Sequence, residues 1–303
     1  MTNTVQGDRL LLAIGARLVA ALSLTSMNAI VKLAEARGAG VGELLFFRQA
    51  TIVPVLATCL ALGPGLGVLR TGRIGAHALR AASGLTGLAF LFFTVSLLPL
   101  AEATTLTFTA PLFATLLGAL VLGEPTGWHR WSAVALGFAG VTIVVHPGAG
   151  HFAPLGTALG LLYALMTAIV SIQLRRIGRT EHPLATVFWF GALSLPVCAI
   201  AMALSWRPHP VEVWVMMVAV GLIGALTQIC LTASLRLGPV SVVVPMDYSG
   251  LIWATLYGFA LFGVLPDWTT WLGAPLIVAS GIYIVLRESR LKRVKTESAG
   301  AEV

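Results

Sequence analysis

The second half of this sequence repeats the first. When the chain is shifted by 140 residues, the stretch 99–131 falls on 239–271. Small and aromatic residues coincide after the shift: Pro99 with Pro239, Gly118 with Gly258, Gly123 with Gly263, Trp128 with Trp268, and Trp131 with Trp271. The chain is therefore a duplication, and we expect it to fold as two similar units related by pseudo-symmetry.

The composition places both units in a membrane. The chain is 57% hydrophobic and only 10% charged, whereas a soluble domain carries roughly 25% charged residues. The apolar runs are continuous and do not alternate, which favours transmembrane helices over a β-barrel. A duplicated, almost wholly apolar chain is typical of a transporter whose substrate site lies between its halves.

Ten transmembrane helices are predicted, at 10–33, 43–62, 79–98, 101–122, 131–147, 154–173, 184–204, 212–235, 240–262 and 268–286. Five helices per unit is an odd number, so the second unit must be inverted relative to the first. The predicted fold is an all-α membrane protein with two inverted five-helix repeats. The repeats are expected at 10–147 and 154–287, followed by a basic tail at 288–303.

The basic residues are distributed unequally between the two sides of this arrangement. Fourteen of the 19 Lys and Arg residues fall on the side that holds both termini, whereas Arg37 and Arg207 fall on the other. The positive-inside rule then predicts cytoplasmic termini in a bacterial inner membrane. Because nearly all of the net charge of +7 lies in short loops and the tail, we expect the lipid bilayer as a partner and no nucleic acid.

Several motifs recur in positions that suggest a family. They are Ala103-Thr104-Thr105, Phe108-Thr109-Ala110-Pro111-Leu112-Phe113, Leu122-Gly123-Glu124, Trp131-Ser132-Ala133, Gly137-Phe138-Ala139-Gly140-Val141, Pro147-Gly148, Asp247-Tyr248, Trp253-Ala254 and Gly281-Ile282-Tyr283. These residues resemble the EamA-type repeats of the drug/metabolite transporter superfamily over about residues 10–287. The resemblance implies ten helices in two inverted repeats with both termini in the cytoplasm.

The resemblance also implies a small-molecule substrate. Related transporters are associated with amino acids, cofactors, nucleoside-like molecules, metallophores and drugs, so the class of metabolite stays open. No phosphate-cradling loop of an ATPase is present, and neither a cofactor nor a metal site is predicted. An intramembrane enzyme acting on lipid and a channel remain as alternatives to a secondary transporter.

Two cationic residues within the apolar spans are candidates for binding an anion. Lys32 lies near one end of the first span and Arg48 lies inside the second, while Asn28 shares a helical face with Lys32. A carboxylate or phosphate would suit this group. Alternatively, Lys32 extends to the membrane interface and Arg48 pairs with Glu43 or Glu102.

The fourth and ninth spans are repeat mates, and both contain helix-breaking residues. Thr104 and Thr107 form a polar stripe with Pro111 in the fourth span. In the ninth span Asp247 takes the position of Thr107 and is flanked by a proline and a glycine. Paired interruptions in corresponding helices indicate a substrate site near the membrane midplane.

An ionisable residue inside a membrane is a functional candidate. Asp247 could bind a substrate amine, relay a proton and so couple transport to protons, or pair with an arginine. Tyr248 could stack on a substrate ring, and Gln228 in the eighth span is a further binding candidate. Threonines can also hold helices together without touching substrate, so this alternative applies to Thr104 and Thr107.

Overall fold

The computed structural model describes residues 2–121, 123, 127–145 and 153–301. Leu122, Glu124 and Pro147-Gly148 of the motifs lie outside the described residues. The helices are α1 (Thr2–Ala36), α2 (Val41–Leu62), α3 (Ile74–Leu97), α4 (Leu100–Thr107), α5 (Ala110–Leu120), α6 (Trp128–Val145), α7 (Pro154–Ile177), α8 (Pro183–Ser205), α9 (Val211–Leu237), α10 (Val240–Val243), α11 (Gly250–Phe262) and α12 (Trp268–Ala301). Short 3₁₀ segments occupy Leu66–Leu69 and Val244–Ser249.

These helices make ten membrane crossings. Among the described residues, 8 helical stretches are long and apolar enough to cross a bilayer, and α4 with α5 is one of them. The 18-residue α6 and the run from α10 to α11 provide the other two crossings. The predicted fold of ten transmembrane helices in two inverted repeats is confirmed.

The helix pairing follows the pseudo-symmetry of the repeat. Helix α1 packs against α9, and α3 packs against α7. The first pair joins the first and eighth crossings, and the second pair joins the sixth and third. Because the first and sixth crossings are repeat mates, as are the third and eighth, the pseudo-symmetry maps one pair onto the other. Helices α2 and α8, and likewise α6 and α12, are repeat mates that pack against each other.

Close helix approach depends on small residues, because lipid tails give helices no hydrophobic reason to associate. A Cβ added at Gly140 of α6 would lie 2.8 Å from the carbonyl oxygen of Gly273 in α12. A Cβ added at Gly221 of α9 would similarly lie 2.6 Å from the carbonyl oxygen of Phe47 in α2. Substitution of either glycine by a larger residue would force the two helices apart.

The interruptions predicted in the fourth and ninth crossings are confirmed. The fourth crossing stops being α-helical after Thr107 and resumes at Ala110, with Pro111 in the first turn of α5. In the ninth crossing a 3₁₀ segment, Val244–Ser249, separates α10 from α11 and contains Asp247. Proline supplies no N–H for the helical ladder, so both crossings are broken where the sequence places Pro111 and Pro245.

Candidate functional site

A cavity of about 450 Å³ lies between the two repeats, beside the interrupted crossings. The first repeat lines it with α1, α3, α4, α5 and α6, and the second with α7, α9, the 3₁₀ segment, the start of α11 and α12. Helices α2 and α8 contribute no lining residue among those described. The cavity therefore occupies the place where inverted repeats hold a transported substrate.

One wall of the cavity follows α7 from its middle to its last turn. Tyr163, Thr167, Ser171 and Arg175 line the cavity at intervals of one helical turn. Arg130, in the first turn of α6, belongs to the lining as well. The cavity thus reaches the membrane face at which α7 ends and α6 begins.

At the opposite face a buried carboxylate joins α2 to the segment that precedes α9. Both oxygens of Glu43, at the start of α2, contact Nε2 of His209 at 3.0 and 2.9 Å. The Glu43 carboxylate also accepts a hydrogen bond from the Gly40 N–H at 2.7 Å. The side chains of Glu43 and His209 are 0% and 3% exposed. This contact therefore connects the start of α2 to the residues that precede α9.

Asp247 pairs with an arginine on the facing helix α1. The Arg17 guanidinium donates from Nε to Oδ1 of Asp247 and from Nη2 to Oδ2, which is a two-pronged pair. Both residues line the cavity. The third guanidinium nitrogen of Arg17, Nη1, is buried and has no hydrogen-bond partner in the part of the chain that the structure describes.

Thr104 and Thr107 line the cavity, but their hydroxyls are occupied locally. The Thr104 hydroxyl donates to the carbonyl of Leu100, and the Thr107 hydroxyl donates to that of Thr104, each at 2.7 Å. A hydroxyl that donates to its own helix still has lone pairs with which to accept. These threonines therefore present acceptors to the cavity.

Tyr248 forms the aromatic part of the lining. Its ring meets that of Phe108 edge to face, with 4.8 Å between the ring centroids. A Cβ added at Gly281 of α12 would overlap the Tyr248 hydroxyl. Because Gly281 has no side chain, the Tyr248 ring can occupy this position at the cavity wall.

Asn28 lies on the face of α1 that lines the cavity, with 5% of its surface exposed. Its side-chain oxygen is buried and finds no donor among the described residues. Buried polar atoms normally have a partner. Because this oxygen has almost no accessible surface, Asn28 meets the cavity through its other atoms.

Lys32 lies outside the cavity lining and stabilises a helix end. Its Nζ donates to the carbonyl oxygens of Val95 at 2.8 Å, Ser96 at 3.3 Å and Leu98 at 2.7 Å. These carbonyls are at the end of α3, where the intrahelical ladder runs out of donors. Lys32 therefore connects α1 to the end of α3, an arrangement different from both alternatives considered for it.

Arg48 and Gln228 also lie outside the lining. Arg48 is 5% exposed and donates from Nη1 to Oε1 of Gln49 at 3.0 Å, while its Nε has no partner within the described chain. The alternative pairing of Arg48 with Glu43 is wrong, because Glu43 contacts His209 instead. The structure therefore brings Asn28, Thr104, Thr107, Asp247 and Tyr248 together and separates Lys32, Arg48 and Gln228 from them.

Three lining arginines, Arg17, Arg130 and Arg175, were not among the candidates predicted from the sequence. Arg17 stands eleven positions before Asn28, which is close to three helical turns, so the spacing places both on one face of α1. That signal was present in the sequence. Arg130 follows directly after a connecting loop, and its sequence context does not separate it from the other basic residues at the membrane face.

Comparison with known proteins identifies the family. The model of the EamA-like transporter family matches residues 10–146 and 154–287. A riboflavin transporter of Vibrio cholerae is 30% identical over 74% of this chain and 76% of its own length. The pseudopaline exporter CntI of Pseudomonas aeruginosa is 27% identical over 91% of this chain and 94% of its own.

A third relative is an S-adenosylmethionine uptake transporter of Rickettsia bellii, 25% identical over 81% of this chain and 82% of its own. A protein of known crystal structure superposes with a TM-score of 0.60 at 22% identity, covering 94% of this chain and 99% of that one. The fold is thus shared with a solved structure. The named relatives support secondary transport and give no support to an intramembrane enzyme or a channel, and the chain belongs to the EamA-like transporter family.

Proposed function

We propose that the protein carries a small polar organic metabolite across the bacterial inner membrane by alternating access. The observation that supports this most directly is the cavity of about 450 Å³ between the repeats, at two interrupted helices. Its volume falls within the range of small-molecule sites, roughly 300–1,000 Å³. Asn28, Thr104, Thr107, Asp247 and Tyr248 are the residues proposed to contact the substrate.

The cavity extends towards one membrane face only, as expected for a carrier in a state that is open to one side. The cavity extends to the end of α7. At the other face, the contacts of Lys32 with α3 and of Glu43 with His209 join helices outside the lining. A carrier exposes its site to one side at a time. This conformation corresponds to the state that is open at the face of Arg130 and Arg175.

That open face is proposed to be the cytoplasmic one, because the basic loops and both termini lie there. The proposal predicts the accessibility of single cysteines to an impermeant thiol reagent in intact cells. A cysteine at Pro208 should be labelled from outside, and a cysteine at Arg73 should be protected. The reverse pattern would show that the orientation is inverted.

Counterflow in reconstituted vesicles tests the carrier mechanism. Labelled substrate should enter faster when unlabelled substrate is trapped inside, because the loaded carrier returns more readily than the empty one. A channel would show no such stimulation. The cargoes named for the relatives, riboflavin, pseudopaline and S-adenosylmethionine, are the first compounds to test, alongside metabolites that change in deletion and overexpressing cells.

Asp247 is proposed as the group that couples transport to protons, since it is a carboxylate that lines the cavity. Asp247→Asn should abolish accumulation driven by a pH gradient but spare exchange of labelled for unlabelled substrate. Asp267→Asn is the matched control, because this exposed carboxylate at the start of α12 lies outside the cavity lining. Equal loss of both activities would assign Asp247 to substrate binding, and no loss would remove it from the mechanism.

A further inference from the structure

Helices α2 and α8 are repeat mates that pack against each other, and no described residue of either lines the cavity. A Cβ added at Gly42, near the start of α2, would lie 2.9 Å from the carbonyl oxygen of Ala201, near the end of α8. A Cβ added at Gly191 of α8 would lie 2.9 Å from Cγ2 of Ile52 in α2. The two helices are therefore antiparallel and closely packed.

A carboxylate and an imidazole join the pair at the face where α2 begins. Glu43, in the first turn of α2, contacts Nε2 of His209 with both oxygens, at 3.0 and 2.9 Å. The N–H of Arg207, just after the end of α8, donates to Oε1 of the same carboxylate at 3.4 Å. Glu43 and His209 form the first clamp, which joins the start of α2 to the chain that follows α8.

A second carboxylate and imidazole join the pair at the other face. Nε2 of His77, in the first turn of α3, lies 3.6 Å from Oε2 of Glu181, just before α8, and both side chains are buried. The Thr71 hydroxyl donates to Oε1 of Glu181 at 2.8 Å. The indole N–H of Trp189 in α8 donates to the carbonyl of Leu69 at 3.0 Å. Glu181 and His77 form the second clamp, which joins the start of α8 to the chain that follows α2.

The pseudo-symmetry of the repeats relates the two clamps. In each clamp the carboxylate lies at the start of the second crossing of one repeat. The imidazole lies at the start of the third crossing of the other repeat. Inverted repeats place equivalent segments at opposite membrane faces. The α2–α8 pair is therefore held at both ends by the same kind of contact.

The two clamps are present together in a state whose cavity reaches one face. A contact that admits substrate by opening would be formed at one face and broken at the other. The cavity extends to the end of α7, which is the face of Glu181, yet the second clamp is in contact there. The cavity has therefore opened at this face without parting α2 from α8.

We propose that α2 and α8, held by the two clamps, form a fixed pair that stays joined through the transport cycle while the lining helices move against it. This inference rests on the proposed transport function and adds the part of the protein that does not move. Because His77 lies in the first turn of α3, that lining helix pivots at the second clamp. Glu43 and Glu181 are positioning residues that lie outside the described lining.

A disulfide between the two helices tests this proposal. Cysteines are introduced at Gly40 and Ser205 in a variant with Cys59, Cys198 and Cys230 replaced by alanine. A Cβ added at Gly40 would lie 3.4 Å from Cβ of Ser205, which is near the separation of about 3.8 Å in disulfides. The loss of free thiols on oxidation measures how completely the bond forms.

The oxidised protein should show counterflow within about twofold of the reduced protein, because the disulfide adds a bond where no conformational step occurs. Counterflow that stops on oxidation and returns on reduction would show that α2 and α8 part, and would overturn the proposal. Ala114→Cys, a lining cysteine in the same background, is the control. Its modification by N-ethylmaleimide should stop counterflow, which shows that the assay detects a blocked cavity.

A rescue experiment tests the first clamp. Glu43→Gln should lower counterflow about threefold, because the clamp loses a charged hydrogen-bond acceptor. The disulfide between positions 40 and 205 should restore the rate, since a covalent bond replaces the clamp. Glu212→Gln is the matched control, because this carboxylate is exposed at the start of α9 on the same face. Unchanged counterflow in Glu43→Gln, or a disulfide that fails to restore it, would contradict the role of the first clamp.

Thiol accessibility separates this inference from the proposed function, because it needs no substrate. With the disulfide formed, the Ala114→Cys thiol should react with an impermeant reagent outside intact cells as fast as without the disulfide. If that rate is kept but no compound shows counterflow, the proposed function fails and the fixed pair stands. If the disulfide stops both the labelling and an established counterflow, the transporter stands and the fixed pair is wrong.

Discussion

The two interrupted crossings are repeat mates, but they differ in what they offer to the cavity. The first break, between α4 and α5, is surrounded by threonine hydroxyls that donate to carbonyls of their own helix. The second, the 3₁₀ segment between α10 and α11, carries Asp247, whose partner Arg17 comes from another helix. The two breaks therefore share backbone geometry and differ in charge.

The two repeats therefore share the broken helix but not the charged residue that it carries. Both repeats contain a broken helix at the corresponding position, within a pseudo-symmetric packing of α1 with α9 and of α3 with α7. The charge is carried by the second break, on Asp247. The binding site is thus asymmetric within a nearly symmetric frame.

The largest effect, a loss of stability, is expected when the pair between Arg17 and Asp247 of the 3₁₀ segment is broken. Arg17→Gln should destabilise the protein by about 3 kcal/mol, the low end for breaking a buried pair, because the Asp247 carboxylate loses its partner while its side chain is 36% exposed. The double variant Arg17→Gln/Asp247→Asn should recover much of that loss. Thermal unfolding in detergent measures both variants, and Asp267→Asn serves as control. Strictly additive losses would show that the two side chains do not stabilise each other.

A smaller effect is expected from the packing that positions Tyr248. Gly281→Ala should reduce transport about tenfold, because the new methyl group overlaps the tyrosine hydroxyl and overpacking costs about 1–3 kcal/mol. Adding Tyr248→Phe should restore part of the activity by removing that hydroxyl. Gly15→Ala is the control, since a Cβ there meets no atom within 4 Å. Failure of the second substitution to rescue the first would place the defect elsewhere in α12.

The smallest effect is expected at the uncharged break. Thr104→Val should lower transport only about threefold, because the cavity loses one acceptor while the helix loses a redundant hydrogen bond. Thr105→Val is a closely matched control, since its hydroxyl donates to the carbonyl of Ala101 at 2.8 Å, away from the cavity lining. Initial uptake rates, normalised to protein in the membrane, compare the two. An equal decrease in both would mean that Thr104 acts through helix packing.

Much of the fold could be predicted from the sequence, because hydrophobic run length and the duplication constrain a membrane chain strongly. The two interruptions were also predictable, since Pro111 and Pro245 act locally on the backbone. The candidate site was predicted in part. Asn28 and Asp247 line the cavity, whereas Lys32 and Arg48 lie outside its lining.

The positions of Lys32 and Glu43 away from their expected partners have a common physical origin. Sequence spacing shows which face of a helix a residue occupies, but not which helix that face meets. Lys32 shares a face with Asn28, yet α1 extends beyond the cavity there and meets the end of α3. Glu43 likewise meets His209, which is 166 residues away. Such partners are set by tertiary packing, which no local pattern records.

The contact between Lys32 and α3 has a mechanical consequence. Separating the two helices would leave the carbonyls of Val95, Ser96 and Leu98 without this donor, and an unpaired polar group that stays buried costs about 1–3 kcal/mol. We therefore expect α1 and α3 to move as one rigid body during the transport cycle. The hinge should lie beyond Ala36, near Gly38 with its φ of 99°. A disulfide joining α1 to α3 near Lys32 should accordingly leave counterflow intact, and a cross-link that stops it would show that the two helices must part.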